Sequence, residues 1–563
     1  MKALKYSLCI CMALVLNRAN AQAQKDTVRP IRVLKDTMFI KIKAFVPTIA
    51  DAYKINDMPV VKDSVPPAPQ LSYGINSKKV FTPFTVNPLK SAKMGLESLP
   101  KLYSTLVKIG GGNYNTPYAE VFFNNLRSKD ISYGARLKHL SSKADYEGYG
   151  FGGFSDNEVG LYGKKFLRKH TLSSNLDYDR DVVHYYGYDT SIAHITENPL
   201  ATKQRYSNFK GNVSLESHYN DSIHTNYLVN LKYSNLTDFY QTSEHNIFAS
   251  GDVSGYYEKQ LIHIPISVDF YNNRSQVDSV NSVIVALTPY ILSSGDKWST
   301  RIGMGIAVEG NQQDRSRFLF YPNIDFNYNV LENIIVPYAG LSGGLKKNSL
   351  KTLTDENPFL VPDPDLQNTN TKWEMYGGVK GSISKNVSYN TRASFSRVQD
   401  MYFFVNDDTN FFKKGFNTLY DDASILNLHG ELQFQNSEKI KVIAKGDYNK
   451  YDMKSELKPW QKPLWQAGLT VNYNLKNKII ATADIFLYGK RNARILKTDS
   501  LGSVFASTEM KPIVDANIGL EYRYSKKLSA FIKFNNLGFR RYMYWNDYPT
   551  QKFNFLAGVT MVF

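Results

Sequence analysis

Strict two-residue alternation, repeated in run after run, constrains this chain more than any other feature. In Trp465–Lys476 one face holds Trp465, Ala467, Leu469, Val471, Tyr473 and Leu475, and the other Gln466, Gly468, Thr470, Asn472, Asn474 and Lys476. Val514–Ser525 sets Val514, Ala516, Ile518, Leu520, Tyr522 and Tyr524 against Asp515, Asn517, Glu521 and Arg523. Phe209, Gly211, Val213 and Leu215 do the same against Lys210, Asn212, Ser214 and Glu216. Successive side chains of a strand point to opposite faces, so each run reads as a strand with one greasy and one wet side. A helical membrane span needs about 18 or more uninterrupted apolar residues, and the chain offers none. If it enters a membrane, only a closed barrel remains, because lipid cannot satisfy bare backbone.

Composition does not decide between a barrel and a soluble sheet. The chain carries 39 Tyr and 32 Phe at a mean hydropathy of −0.37. That suits a barrel, in which only alternate residues meet lipid, and suits a Tyr-rich soluble β protein nearly as well. Connection lengths do decide. About 22 runs lie between Lys101 and Phe563, an even number as single-chain bacterial barrels require. Tight connections fall at Tyr219–Ile223, Glu258–Leu261, Leu331–Ile334, Ser384–Val387, Asn436–Ile440, Leu475–Ile479 and Ser525–Leu528. Longer ones lie between them, at 143–157, 188–205, 350–370, 407–423, 453–464, 489–513 and 540–550. Short periplasmic turns and long extracellular loops produce this asymmetry, and a sandwich has no reason to show it. The expected fold is all-β: a transmembrane antiparallel β-barrel of about 22 strands over 101–563, with both termini periplasmic.

The N-terminus reads as a secretory signal peptide over residues 1–23. Lys2 and Lys5 are followed by the short apolar stretch Ser7–Leu16, which Asn17 and Arg18 end. Ala19-Asn20-Ala21 and Ala21-Gln22-Ala23 are small-x-small cleavage sites, so the cut is expected near Gln22 or Gln24. Both cysteines, Cys9 and Cys11, lie in this signal, so no disulfide supports the mature chain. A lipoprotein would need a small residue next to Cys11, and Ile10 stands there. Residues 24–100 hold nine prolines, including Pro66, Pro67 and Pro69, and little alternation. They read as an extended periplasmic segment that contacts the lumen or a partner.

The chain ends on an alternating strand, Phe553, Phe555, Ala557, Val559, Met561 and Phe563. Gly558, Met561 and the terminal Phe563 resemble the insertion signal read by the barrel assembly machinery.

A family resemblance rests on two further motifs. Pro364-Asp365-Leu366-Gln367-Asn368-Thr369, followed by Trp373-Glu374-Met375-Tyr376-Gly377, resembles the loop-to-strand signature of TonB-dependent receptor barrels. Asn536-Leu537, Tyr548-Pro549 and the closing strand are similar to that family's C-terminal hairpin. The resemblance is to the Bacteroidota type, covers 101–563 and implies 22 strands. Those receptors carry an N-terminal plug of well over a hundred residues, and residues 24–100 are too few for one. The TonB partner is therefore left open, with Asp26-Thr27-Val28 as a faint match to its docking box. The lumen is either open or filled by residues 24–100, by loops or by a partner.

The net charge of +17 favours anionic contacts such as lipopolysaccharide phosphates, or is simply a solvated face. Tyr146, Tyr149, Phe151 and Phe154 in one loop, and Tyr542, Tyr544 and Trp545 in another, read as interfacial girdle or ligand-stacking aromatics. Asp363 and Asp365 match no compact calcium loop. His224, His263 and His429 are scattered, and no metal, nucleophile or phosphate-loop motif appears. Gly110-Gly111-Gly112 reads as a hairpin bend. No catalytic residue, cofactor, metal or nucleic-acid partner is expected. Two functions follow: solute transport across the outer membrane, or a structural barrel that binds a periplasmic or lipoprotein partner.

Overall fold

The computed structural model describes residues 101–144, 146–193, 198–276, 279–311, 316–407, 414–499 and 502–563. The chain divides into two units, Met1–Ser91 and Ala92–Phe563, and every described residue belongs to the second. The signal peptide, Asp26-Thr27-Val28 and the segment 24–100 lie outside the described residues.

The unit is one antiparallel sheet closed on itself. Each strand pairs with its neighbour in sequence, beginning with Thr105–Gly112 against Thr116–Asn124. The last strand, Asn554–Val562, returns to the first, with Ile109 opposite Val559 and Gly110 opposite Gly558. Two segments, Ser279–Leu287 and Tyr290–Ser294, both pair with Gln260–Arg274 and with Trp298–Asn311. They are one strand interrupted at Pro289, which has no N–H to give the ladder. Counting them once, the barrel has 22 strands, as expected from the sequence.

Alternation becomes inside and outside. Val159, Leu161, Tyr178, Phe209, Val213, Leu231, Phe320 and Val559 share the outer wall and are exposed, Leu161 to 52% and Phe320 to 60%. So large an apolar belt would drive aggregation in water, and in a bilayer it is the expected outer face. The inner wall carries the wet residues, and many pair across neighbouring strands: Lys108 with Glu120 at 3.5 Å, Lys138 with Glu158 at 2.6 Å, Arg301 with Asp325 at 3.1 Å and Arg392 with Glu374 at 2.7 Å.

The two ends differ. One holds short turns such as 385–386, 437–439 and 476–478. Lys476 and Asn477 both take positive φ, and the Lys478 amide donates to the Leu475 carbonyl at 2.9 Å. That is a type I′ turn, whose twist matches the flanking strands. The other end gathers the long loops 143–153, 185–202, 347–368, 407–415, 454–464, 489–512 and 536–553. Here Val387–Asn406 and Phe416–Asn436 rise as the longest hairpin, and two small hairpins stand apart from the barrel sheet: Arg491–Asp499 with Gly502–Met510, and Met543–Trp545 with Tyr548–Pro549.

Candidate functional site

The loop end carries a packed core of its own. Tyr146, Tyr186, Tyr206, Leu236, Leu350, Leu353, Leu360, Leu366, Tyr402, Phe404, Phe416, Trp545 and Tyr548 form one buried cluster drawn from four loops and the strand ends beneath them. Phe359 stacks on Tyr548 at 4.0 Å between ring centroids, Tyr146 on Tyr186 at 4.7 Å, and Trp545 meets Phe404 edge-on at 5.2 Å. Aromatic pairs in such geometry contribute about 0.5–1.5 kcal/mol each beyond their buried area.

Loop 347–368 is the centre of this cap. It leaves the barrel between strands Val336–Lys346 and Thr369–Ser384 and reaches strands His170–His184 (strand 5) and Lys203–Ser217 (strand 6), almost the far side of a 22-strand ring. Its short helix, Leu350–Glu356, starts at Ser349, whose hydroxyl and the Thr352 side chain form a capping box. Leu350 and Leu353 face inward and are fully buried. Beyond the helix, hydroxyls hold the backbone: Tyr206 donates to the Pro358 carbonyl at 3.1 Å, Tyr185 to Leu360 at 2.6 Å and Thr242 to Pro362 at 3.1 Å. The Phe416 amide donates to Phe359, and the Val361 amide to Phe416, both at 2.9 Å. The carbonyls of Pro358, Phe359, Leu360 and Pro362 therefore each meet a donor, as buried backbone requires.

The second loop that contributes to the cap is 536–553. Tyr186 donates to the Pro549 carbonyl at 2.9 Å, and the Arg491 guanidinium to Met543 at 2.6 Å. Tyr548 donates to Lys414, and Asn546 to Asn406 at 3.3 Å. Glu356 ties the helix end to loop 454–464 through Lys462 at 2.8 Å and accepts from Tyr402.

Electrostatics in the cap follow burial and neighbours. Burial pushes the Tyr146 hydroxyl up to about 12, and drives those of Tyr186 and Tyr548 well above the usual phenol range. Burial alone would raise Glu356; the attraction of Lys462 and the hydrogen bonds from Lys462 and Tyr402 hold it below its ordinary value. Asp238, in the adjacent turn, is 4% exposed, and burial pushes it up to about 6 despite hydrogen bonds from Gln204 and the Thr242 amide.

The sequence motif Pro364–Thr369 proves to be the foot of the cap. Asn368, 2% exposed, donates to Glu309 at 2.7 Å and accepts from the Asn348 amide at 3.0 Å and the Tyr271 hydroxyl at 3.3 Å. Arg317 closes the cluster, bonding Glu309 at 2.8 Å, Asp400 at 2.6 Å and the Asn368 carbonyl at 3.3 Å. The Asp365 carbonyl accepts from Tyr420 at 2.9 Å, and its side chain from Gln367 at 2.9 Å. The Asp363 and Asp365 side chains are exposed.

Of the aromatics singled out in the sequence, Tyr146 and Trp545 are buried in the cap, with Tyr149 packed against it. Phe151 sits edge-on to His184, Tyr542 bonds Asp515 at 2.6 Å, Tyr544 is 42% exposed and Phe154 begins the fourth strand. The signals that reasoning on the sequence missed are Tyr185, Tyr186, Tyr206, Tyr402, Phe404 and Phe416, whose loop-flanking positions could have suggested them.

At the chain end, Met561 and Phe563 lie on the outer wall, Phe563 58% exposed, with its amide bonded to Thr105 at 2.9 Å. Gly558 lies on the inner wall at the seam, where a Cβ would come within 2.3 Å of the Ile109 carbonyl oxygen and 2.6 Å of the Phe531 ring.

Below the cap the lumen wall bonds within itself. His263 pairs with Asp252 at 2.9 Å and His429 with Asp447 at 2.8 Å; among the described residues neither ring bonds a serine. Among the described residues no three His, Cys, Asp or Glu side chains are gathered to hold a metal. A cavity of about 700 Å³ under the cap is lined by Arg136, Glu158, Asp177, Asp179, Lys210 and Lys351, among others.

Three solved structures illustrate what this architecture resembles. The FrpB iron transporter from Neisseria meningitidis superposes with a TM-score of 0.64 at 7% identity, over 83% of this chain and 82% of that one. The siderophore receptor PirA from Acinetobacter baumannii gives 0.62 at 11% identity, over 83% and 81%. The fold is that of a TonB-dependent receptor barrel. The ferric-catecholate import receptor Fiu from K12 E. coli gives 0.60 at 11% identity, over 82% of each chain. No family model and no curated protein matches the sequence. With its closed sheet and apolar outer wall, this chain shares the fold of those receptor barrels.

Proposed function

We propose that this barrel carries a solute across the outer membrane and that the loop cap is the element that admits it. The cap's interlocked core, drawn across the mouth from opposite walls, carries this reading. The loop end faces the cell exterior, the turn end and both termini face the periplasm, and residues 24–100 lie in the periplasm within reach of the lumen or a partner. The barrel assembly machinery reads Gly558, Met561 and Phe563. No step calls for a catalytic residue or cofactor. The names of the structural neighbours speak of iron and ferric-siderophore uptake, which makes a metal-chelate the first solute class to try.

Conductance of the purified full chain in planar bilayers tests the gate. The intact protein is expected to stay nearly silent, and deletion of 350–362 to open a steady current. Silence in both would show that something other than the cap blocks the lumen, and favour the second reading, a barrel that serves as a scaffold for a periplasmic partner. Orientation is tested by single cysteines, since the mature chain has none. Lys454→Cys at the loop end should react with an impermeant thiol reagent on whole cells, and Ile223→Cys at the turn end should not.

A further inference from the structure

The inner wall carries cross-strand ion pairs, whereas on the outer wall at the loop end three cations gather that make no ion pair among the described residues. Arg180, Lys203 and Arg205 share the outer face of strands 5 and 6 with Tyr178 and Phe209, because the register between these strands is continuous. Arg180 lies opposite Ser207, and Arg205 opposite Val182, with Lys203, opposite His184, two pairs further from the belt. Arg205 stands four residues beyond Phe209, about 13 Å of strand at ~3.3 Å per residue. The cluster therefore begins where the aromatic edge of the apolar belt ends.

Three observations mark it as a site. None of the three cations makes an ion pair with a described carboxylate, and the Arg205 Nε is buried with no hydrogen-bond partner. Lys203 and Arg205 both lean on the ring of Phe239, at 5.9 Å from its centroid, which holds their heads together. In register with Arg180 and Ser207 the outward residues of the flanking strands are His139, Asn157, Thr237, Ser243 and Arg274, none of them acidic; the nearest carboxylate to act on the cluster is Asp238 in the adjoining turn, which Arg205 attracts without forming an ion pair. Across the barrel the equivalent cations, Arg397 and Lys450, share their wall with Asp452.

We infer that Arg180, Lys203 and Arg205 bind the phosphates of a phosphorylated, acylated glycolipid of the outer leaflet. The ligand's acyl chains lie along the belt at Tyr178 and Phe209, and its phosphates stand at the height of the guanidinium groups. Arginine suits phosphate by its planar fork of donors, and each cation at a charged membrane surface contributes several-fold in affinity. The assignment rests on the loop end facing outward.

The test uses the full chain reconstituted in phosphatidylcholine vesicles doped with diphosphoryl lipid A, then extracted into mild detergent and weighed by native mass spectrometry. The intact protein should retain the glycolipid, and R180Q/K203Q/R205Q should bind it on the order of a hundredfold more weakly and lose most of it. Dephosphorylated lipid A should be lost from both. The R397Q/K450Q variant, with heat-modifiable gel migration as the check on folding, should behave as the intact protein. Equal retention by the triple variant, equal loss in R397Q/K450Q, or displacement by millimolar inorganic phosphate alone would overturn the assignment. Extraction carries no information on orientation or conductance, so failure here and failure of the transport reading are told apart.

Discussion

Asp238 shows how one buried side chain sets a pH response in this protein. Its folded-state pKa, about 6, lies above the ordinary carboxylate value of roughly 3.9. Between these values the folded state binds more protons than the unfolded, so stability falls as pH rises through that window. Glu356 is held low, so its contribution is present above its unfolded pKa and is lost as pH falls through the folded one. Asp238→Asn should therefore flatten the loss between about pH 4 and 6, measured as the urea midpoint against pH; an unchanged slope would disprove the assignment. Gly558 makes a second residue-scale case. Gly558→Val forces a Cβ against the Ile109 carbonyl and Phe531, and overpacking of this kind costs about 1–3 kcal/mol. Refolding yield in detergent should drop, whereas Gly163→Ala, with nothing within 4 Å, should refold normally.

The cap behaves as an element with its own core. Tyr548 stacks on Phe359, touches Tyr186 and Phe416, and donates to Lys414. Tyr548→Ala should cost about 3–5 kcal/mol of local stability, as large aromatic truncations do. Amide exchange in 347–368 and at 414–416 should accelerate together, with the barrel strands unchanged. Exchange confined to 536–553 would mean that the loops are separate pieces. The N-cap is a milder lever: Ser349→Ala should cost about 1 kcal/mol and speed exchange in Leu350–Glu356 alone.

At the scale of the whole molecule, closure is what matters. A sheet whose last strand pairs with its first has no edge, and in lipid its backbone is fully paired. Unheated protein should therefore migrate differently from heated protein on a detergent gel, and fractionate with the outer membrane. Met561→Ser and Phe563→Ser should refold in micelles as the intact chain does, yet assemble poorly in cells, because their side chains face outward from the closing strand.

Much of this was readable in the chain itself. Alternation marked which side of each strand meets lipid, because a strand has only two faces and the belt demands apolar groups on one of them. Connection lengths separated the turn end from the loop end, and an even strand number brought Thr105 and Phe563 to one end. Pro364–Thr369 was visible as a motif, but not that Asn368 would lock it to Glu309, Tyr271 and Asn348, residues distant in sequence. Loop aromatics such as Tyr146 and Trp545 read equally well as girdle or ligand contacts. Only the tertiary structure decided that they pack together, since loops have no periodicity to say which way a side chain points. The cluster of Arg180, Lys203 and Arg205 likewise needed the register of two strands, because residues more than twenty apart in the chain become neighbours only when the sheet pairs them.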